Sequence, residues 1–441
     1  MLKKYMLELG YLKEDYDLFK NDYILSRYED EKILAKIKEN FPFLLGLGYS
    51  KEDVIKITRT TPGLYGYSVE TLKQKISNLI NLGYAYEDVI KMIKSLPALY
   101  SYSMESIKQK INNIMTLGYT YEETIKMTKA FPSLYGYSVE TLKQKINDFK
   151  TLGYTDKEII RMTKMLPSLY GYSVETLKQK INDLIALGYT DKEIARMIKI
   201  FPSLSSYDIE TLKQKIVNLM ALGYTKEEVI KITKILPSLY GNSIDNVKQK
   251  IADLIALGYT KEEVIQMTKA LPTLYSLSFK TIKQKINDFK TLGYTYEEII
   301  KMTKSFPTVY GLNIANIKQK ISDLMALGYT KEEVIQMTKA LPTLYGYNIE
   351  NIIDKINLLR QINLKNVALT DTKRLMQSVD LTYARYAFFK HIDIQINEDC
   401  YLYLFYSNKA FESKYGVSKS YLLDTYSYRE YKERIKNEST I

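Results

Sequence analysis

The sequence predicts an all-α protein: a solenoid of nine 35-residue, two-helix repeats, with a short tight turn at each proline and a helical cap at each end. Two periodicities carry this reading. Gly48, Gly83, Gly118, Gly153, Gly188, Gly223, Gly258, Gly293 and Gly328 each sit in Leu-Gly-Tyr and are 35 residues apart without slippage. Pro62, Pro97, Pro132, Pro167, Pro202, Pro237, Pro272, Pro307 and Pro342 keep the same period, and the tenth proline, Pro42, lies just before the array. A fixed period of this length marks stacked supersecondary units. Some units are near copies: residues 256–275 and 326–345 are identical, as are 135–148 and 170–183.

Each unit reads as a helix pair. In the unit opening at Gly258, Thr260 is an N-cap and Glu263 completes a capping box. Val264, Ile265, Met267, Thr268 and Leu271 follow on one face. Pro272 lacks an N–H and disfavours helical backbone at Leu271, so the first helix ends there, with Leu274 and Tyr275 in the connecting turn. The second helix is clearest after Gly153. Ser173 caps it, and Val174, Leu177, Ile181, Leu184 and Ile185 form its apolar stripe. Gly188 then supplies a left-handed stop. So short a pair cannot bury its stripes alone; stacked neighbours can.

Three segments follow. Residues 1–47 form a helical cap with an irregular Leu9-Gly10-Tyr11 echo, 48–362 hold the nine repeats, and 363–441 hold a degenerate tenth repeat and a second cap. In that last segment Asn363 replaces the glycine and Gln377 the proline, while Ser418 before Leu422 and Leu423 signals one more short helix.

Composition excludes several function classes. The chain has one cysteine, Cys400, and one histidine, His391. No intrachain disulfide can form, and a Cys/His metal cluster or a repeated triad is excluded or nearly so. No cofactor and no enzymatic activity is expected. No apolar run approaches the roughly 20 residues that span a bilayer, and Met1–Glu31 reads as neither signal nor transit peptide. A reducing cytoplasm of bacterial type is the expected compartment, with an organelle matrix as the alternative. The net charge of +12 divides into −1 for residues 1–47, +2 for 363–441 and +11 for the repeats. A surplus of about one positive charge per repeat points to a polyanionic partner.

The pattern Leu-Gly-Tyr-Thr-x-Glu-Glu-Val-Ile, Leu-Pro-x-Leu-Tyr, Ser-Val-Glu-x-Leu-Lys-x-Lys-Ile resembles the repeat of the mitochondrial transcription termination factor (mTERF) family. The resemblance covers residues 48–362, with weaker similarity on both flanks. It implies a curved helical solenoid that binds duplex DNA or RNA in a basic concave groove, acting in transcription, transcription termination or RNA metabolism. Two departures stand out. Most units carry Tyr where the family has a second Leu (Tyr65, Tyr100, Tyr135, Tyr170, Tyr240, Tyr275, Tyr310 and Tyr345), and the units are unusually alike.

The candidate nucleic-acid contacts are a row near the end of each first helix: Arg59, Lys94, Lys129, Lys164, Lys199, Lys234, Lys269, Lys304 and Lys339. A second row lies three residues earlier, at Lys56, Lys91, Lys126, Arg161, Arg196, Lys231 and Lys301, with Gln266 and Gln336 completing it. Arg161, Arg196 and Lys231 are its strongest candidates, and Lys157 and Lys192 make the fourth and fifth units the most basic. The bland reading of the terminal row is a cation at a helix C-terminus, compatible with phosphate contact. The Lys-Gln-Lys of each second helix (Lys73/Lys75 through Lys318/Lys320) reads either as lysines snorkelling at the inter-repeat seam or as a further basic row. The acid at Asp53, Asp88, Glu123, Glu158, Glu193, Glu228, Glu263, Glu298 and Glu333 reads as a capping box, and the Leu-Gly-Tyr tyrosines as core. Because polar positions hardly vary, contacts to the regular backbone are expected, made by a monomer. The alternative is a protein–protein scaffold of the helical-repeat type.

Overall fold

The computed structural model describes residues 1–438, and among them there is no strand. Every unit has the same order: a ten-residue first helix, a 3-10 helix starting at the proline, and a second helix of 12–14 residues. Numbering the units from Gly48, the third is Tyr121–Ala130, Pro132–Gly136 and Val139–Thr151. The chain divides into two compact parts, Met1–Gln214 and Lys215–Ile441, with the boundary inside the second helix of the fifth unit, Ile209–Met220.

Local chemistry explains the boundaries. Thr120 accepts the Glu123 backbone N–H while the Glu123 carboxylate accepts the Thr120 N–H at 2.9 Å, so two orphan donors are satisfied reciprocally. Leu271 has φ −133° and ψ 80°, outside the helical region that a following proline disfavours. What reads as a tight turn is a 3-10 helix, Pro272–Ser276, with Leu274 and Tyr275 buried. Gly188 sits at φ +111°, where a side chain would be strained. Asn363, in the tenth glycine position, takes the same left-handed region at φ +60°. The second-helix stripe needs one correction: Ile185 is 42% exposed and Leu187 is buried instead, because the helix runs on to Leu187 before Gly188.

The flanks extend the theme. Gly10 has φ +93° and opens the N-terminal echo, and Pro42 lies inside the helix Asp30–Gly46. After Asn363, a short helix Val367–Thr370, a 3-10 turn Thr372–Met376 and a helix Val379–His391 repeat the unit order. Ser418 caps Lys419–Thr425, as its sequence context indicates. No helix among the described residues is long and apolar enough to cross a membrane.

The seam between units is held by a buried hydroxyl chain. The Leu-Gly-Tyr tyrosine reaches a Thr 44 residues on and a Tyr 51 residues on: Tyr84 to Thr128 at 2.5 Å and to Tyr135 at 2.6 Å, Tyr119 to Thr163 and Tyr170, Tyr224 to Thr268 and Tyr275. Direction follows from the last acceptor. Thr128 lies 2.7 Å from the Thr124 carbonyl, which can only accept, so Thr128 donates there. Tyr84 then donates to Thr128, and Tyr135 donates to Tyr84. Every hydroxyl hydrogen is placed, which is what full burial requires. The second Tyr, the departure from the family pattern, is the end of this chain. At the cap, Tyr11 repeats the arrangement with Thr58 and Tyr65. In the second unit Ile93 stands in the Thr position; Tyr49 turns to the Ile90 carbonyl and the Tyr100 hydroxyl is buried without a hydrogen-bond partner. In the fifth, Ile198 is accompanied by Ser205 in place of Tyr, also buried without a partner.

A buried cation marks the last seam. Lys355, fully buried, donates to the Ser378 carbonyl at 3.0 Å and to Thr382. Desolvation lowers its amine from 10.5 to about 7.

Two outcomes follow from these seams. Thr128→Val should cost about 1–3 kcal/mol, since it orphans the Tyr84 hydroxyl hydrogen. Combined with Tyr135→Phe, the loss in urea unfolding should be less than additive, because both act on one chain. Lys355 binds its proton more tightly unfolded than folded, so between pH 7 and 9 stability should rise with pH, by on the order of 2 kcal/mol. Lys355→Met should flatten that rise in urea midpoints followed by circular dichroism.

Candidate nucleic-acid interface

The terminal row of each first helix is not free. Lys94 pairs with Asp53 at 2.8 Å, Lys129 with Asp88 at 2.7 Å, Lys164 with Glu123 at 2.7 Å and Lys199 with Glu158 at 2.8 Å. Lys269 pairs with Glu228, Lys304 with Glu263 and Lys339 with Glu298, all at 2.7–2.8 Å. Arg59 makes the equivalent pair with Asp15 of the N-terminal cap. Lys234 stands in the same place in Lys226–Ile235. From Lys94 onward each of these pairs joins a cation to the acid at the third helical position of the preceding unit, 41 residues upstream; Arg59 reaches Asp15 across 44 residues, and Asp88, which follows Ala85 instead of Thr or Ser, closes a rung without the expected capping box. The two most regular charged positions of the repeat are therefore partners across the seam in these units.

The acid is held from two sides. One carboxylate oxygen of Glu158 accepts the Thr155 N–H and the other accepts the Lys199 ammonium. These bonds, the lysine first, hold Glu158 down at about 2 and lower Glu123, Glu228, Glu263 and Glu298 in the same direction.

The row three residues earlier is different. Lys56, Lys91, Lys126, Arg161, Arg196, Lys231 and Lys301 are all exposed. Among the described residues none of them has a carboxylate within ion-pair distance; the helical pairing with Glu52, Glu87 or Glu122 that the spacing allows does not form. Clefts of about 600 Å³ open beside the ladder. One is lined by Glu298, Lys301 and Lys339, and another, near the N-terminus, by Glu52, Lys56 and Arg59. Arg161 and Arg196 lie one turn from exposed Met165 and Ile200, where most units carry Ala, Ser or Thr.

In the second helices the two lysines of Lys-Gln-Lys have separate fates. The second is half-buried and, except at Lys110, whose ammonium lies over the Tyr102 ring, donates to a backbone carbonyl 27 residues on, at the turn before the next second helix: Lys75 to Tyr102, Lys145 to Tyr172, Lys180 to Tyr207 and Lys215 to Asn242. These are seam braces. The first lysine, from Lys73 to Lys318, is exposed. By formal charge the nine first helices carry +4 and the nine second helices +8. The braces account for much of that second figure, so the charge excess is partly spent inside the seam.

The Leu-Gly-Tyr tyrosines are all core, at most 8% exposed. Sequence reasoning missed the rungs; it offered the inter-repeat seam for the Lys-Gln-Lys lysines, which holds for the second of each pair, but not the carbonyls they cap. The signal was present as invariance of acid and base, but only packing places residues 41 apart in contact. Among the described residues no three His, Cys, Asp or Glu side chains are grouped to hold a metal.

Depressed carboxylates contribute stability above their unfolded values near 4.5 and lose it as pH falls toward 2. The urea midpoint should fall between pH 5 and 3, and Glu158→Gln, which keeps a capping side chain but cannot titrate, should make that fall shallower.

No curated protein shows significant similarity to the chain. The mTERF family model matches residues 18–152, 143–221, 212–326 and 253–369, most of the chain. The chain thus belongs to the mTERF family, whose helical-repeat members are generally non-enzymatic nucleic-acid-binding proteins.

Proposed function

We propose that the chain is a nucleic-acid-binding solenoid that grips duplex DNA or structured RNA through its sugar–phosphate backbone, as a regulator of transcription or RNA metabolism. It acts as a monomer, without cofactor or catalysis, in a reducing cytoplasm or organelle matrix. The observation that carries this reading is the exposed, unpaired row Lys56, Lys91, Lys126, Arg161, Arg196, Lys231 and Lys301, one cation per unit with only Gln266 and Gln336 interrupting it. A cation repeated once per structural unit suits a polymer of regular charge. Arg161 and Arg196 are its centre of weight, since guanidinium forks suit phosphate and Lys157 and Lys192 replace the acid found there in other units. The terminal row, from Arg59 to Lys339, adjoins this face and contributes field more than contact while its rungs are closed.

A scaffold reading rests on one observation: Ile80, Ile185, Met220, Ile255 and Met325, in the last turns of second helices, are each 36–42% exposed. Those side chains would suit an apolar partner.

Binding to a duplex of mixed sequence should weaken with salt, the slope of log K against log salt being roughly −6 if all seven free cations touch phosphates. Arg161→Ala with Arg196→Ala should flatten the slope by about 2 and weaken binding to all sequences alike. A mobility-shift or anisotropy titration across salt reads both. An unchanged slope moves the interface off this row, and absence of binding to any duplex favours the scaffold.

A further inference from the structure

We infer that the capping-box acids set the affinity of the proposed interface: each acts as an internal rival to phosphate, withholding one cation per unit from the nucleic acid. The inference rests on the nucleic-acid reading and adds to it which cations are available.

Three features of the rungs carry it. First, the acid is preorganised. Glu123 accepts the Thr120 N–H with one oxygen at 2.9 Å and the Lys164 ammonium with the other at 2.7 Å. Glu158 does the same with Thr155 and Lys199. An acid already fixed by its cap loses little freedom on pairing, so the rung is firmer than a surface pair of two mobile chains. Second, the acid cannot swing aside without losing its cap. A phosphate approaching Lys164 or Lys199, which remain 38% and 35% exposed, meets a carboxylate at the same point and is repelled. Third, the neighbouring cations Arg161 and Arg196, one turn away, have no such rival among the described residues. The third to fifth units therefore pair an open cation (Lys126, Arg161, Arg196) with a withheld one (Lys129, Lys164, Lys199). A near-identical array with both rows open would hold any polyanion nearly twice as many times per unit; the ladder limits non-specific grip and leaves the seam intact.

The test is a cycle on one face. Glu123→Gln with Glu158→Gln keeps side chains able to cap but removes both rival charges. With duplex DNA and duplex RNA of one mixed sequence as probes, the salt slope should steepen by about 2, and affinity at 0.1 M salt should rise at least about tenfold. Lys164→Met with Lys199→Met should leave the wild-type slope nearly unchanged, within about 0.5, yet cancel the gain when added to the Gln variant. Thermal unfolding of each variant is followed in parallel. If the Gln pair leaves affinity and slope unchanged or lowers them, or if the Met pair alone flattens the wild-type slope by about 2, the rungs do not withhold their cations. The Met pair reads this even should the Gln pair fold poorly. Those results leave nucleic-acid binding standing, whereas a wild-type chain that binds neither duplex removes both readings.

Discussion

No unit of this protein closes its own interactions. A ten-residue helix, a 3-10 turn and a second helix of 12–14 residues have too little interior to bury two apolar stripes. The polar links that hold a unit run to its neighbour instead. Braces reach a carbonyl 27 residues on, rungs join residues 41 apart, and hydroxyl chains span 44 and 51. Each link is a full period plus or minus a fixed offset. The seam, repeated, is the structural unit, and the helix pair is only its two half-surfaces.

This accounts for the two ends. The N-terminal cap offers Tyr11 to Thr58 and Tyr65 and Asp15 to Arg59, supplying the partners that a preceding unit would have supplied. At the other end Lys355 stands in the brace position. There the Val379–His391 helix supplies Thr382, whose hydroxyl and the Ser378 carbonyl take the amine out of water and lower its basicity. A brace that is half-solvated within the array becomes a buried cation where the array stops.

The same economy shapes the candidate interface. A basic repeat invites the inference that every regular cation faces a polyanion. Here the seam has first claim: the terminal lysines close rungs and the second lysines of Lys-Gln-Lys cap carbonyls. What the seam does not use is the exposed row from Lys56 to Lys301, the outward lysines from Lys73 to Lys318, and a few apolar chains at second-helix ends. The proposed nucleic-acid contacts are drawn from this remainder.

Much of the fold was legible in the residues themselves. Glycines that take positive φ, prolines that end helices, and Thr or Ser with an acid three residues on act within a few residues, so the sequence by itself determined the units, their boundaries and their capping. It also determined that Asn363 would stand in for glycine, since Asn is among the few residues tolerating that backbone region. Only the tertiary structure decided which charges are spent. Asp53 reads from sequence as a cap alone; packing brings residues 41 apart within 2.8 Å and makes it also the partner of Lys94. The Tyr that departs from the family's Leu likewise has no local reason; its hydroxyl makes sense only as the end of a chain through another unit. Local rules fix backbone conformation because they act over one turn, whereas the fate of a charge or a hydroxyl depends on what a neighbouring unit lays against it.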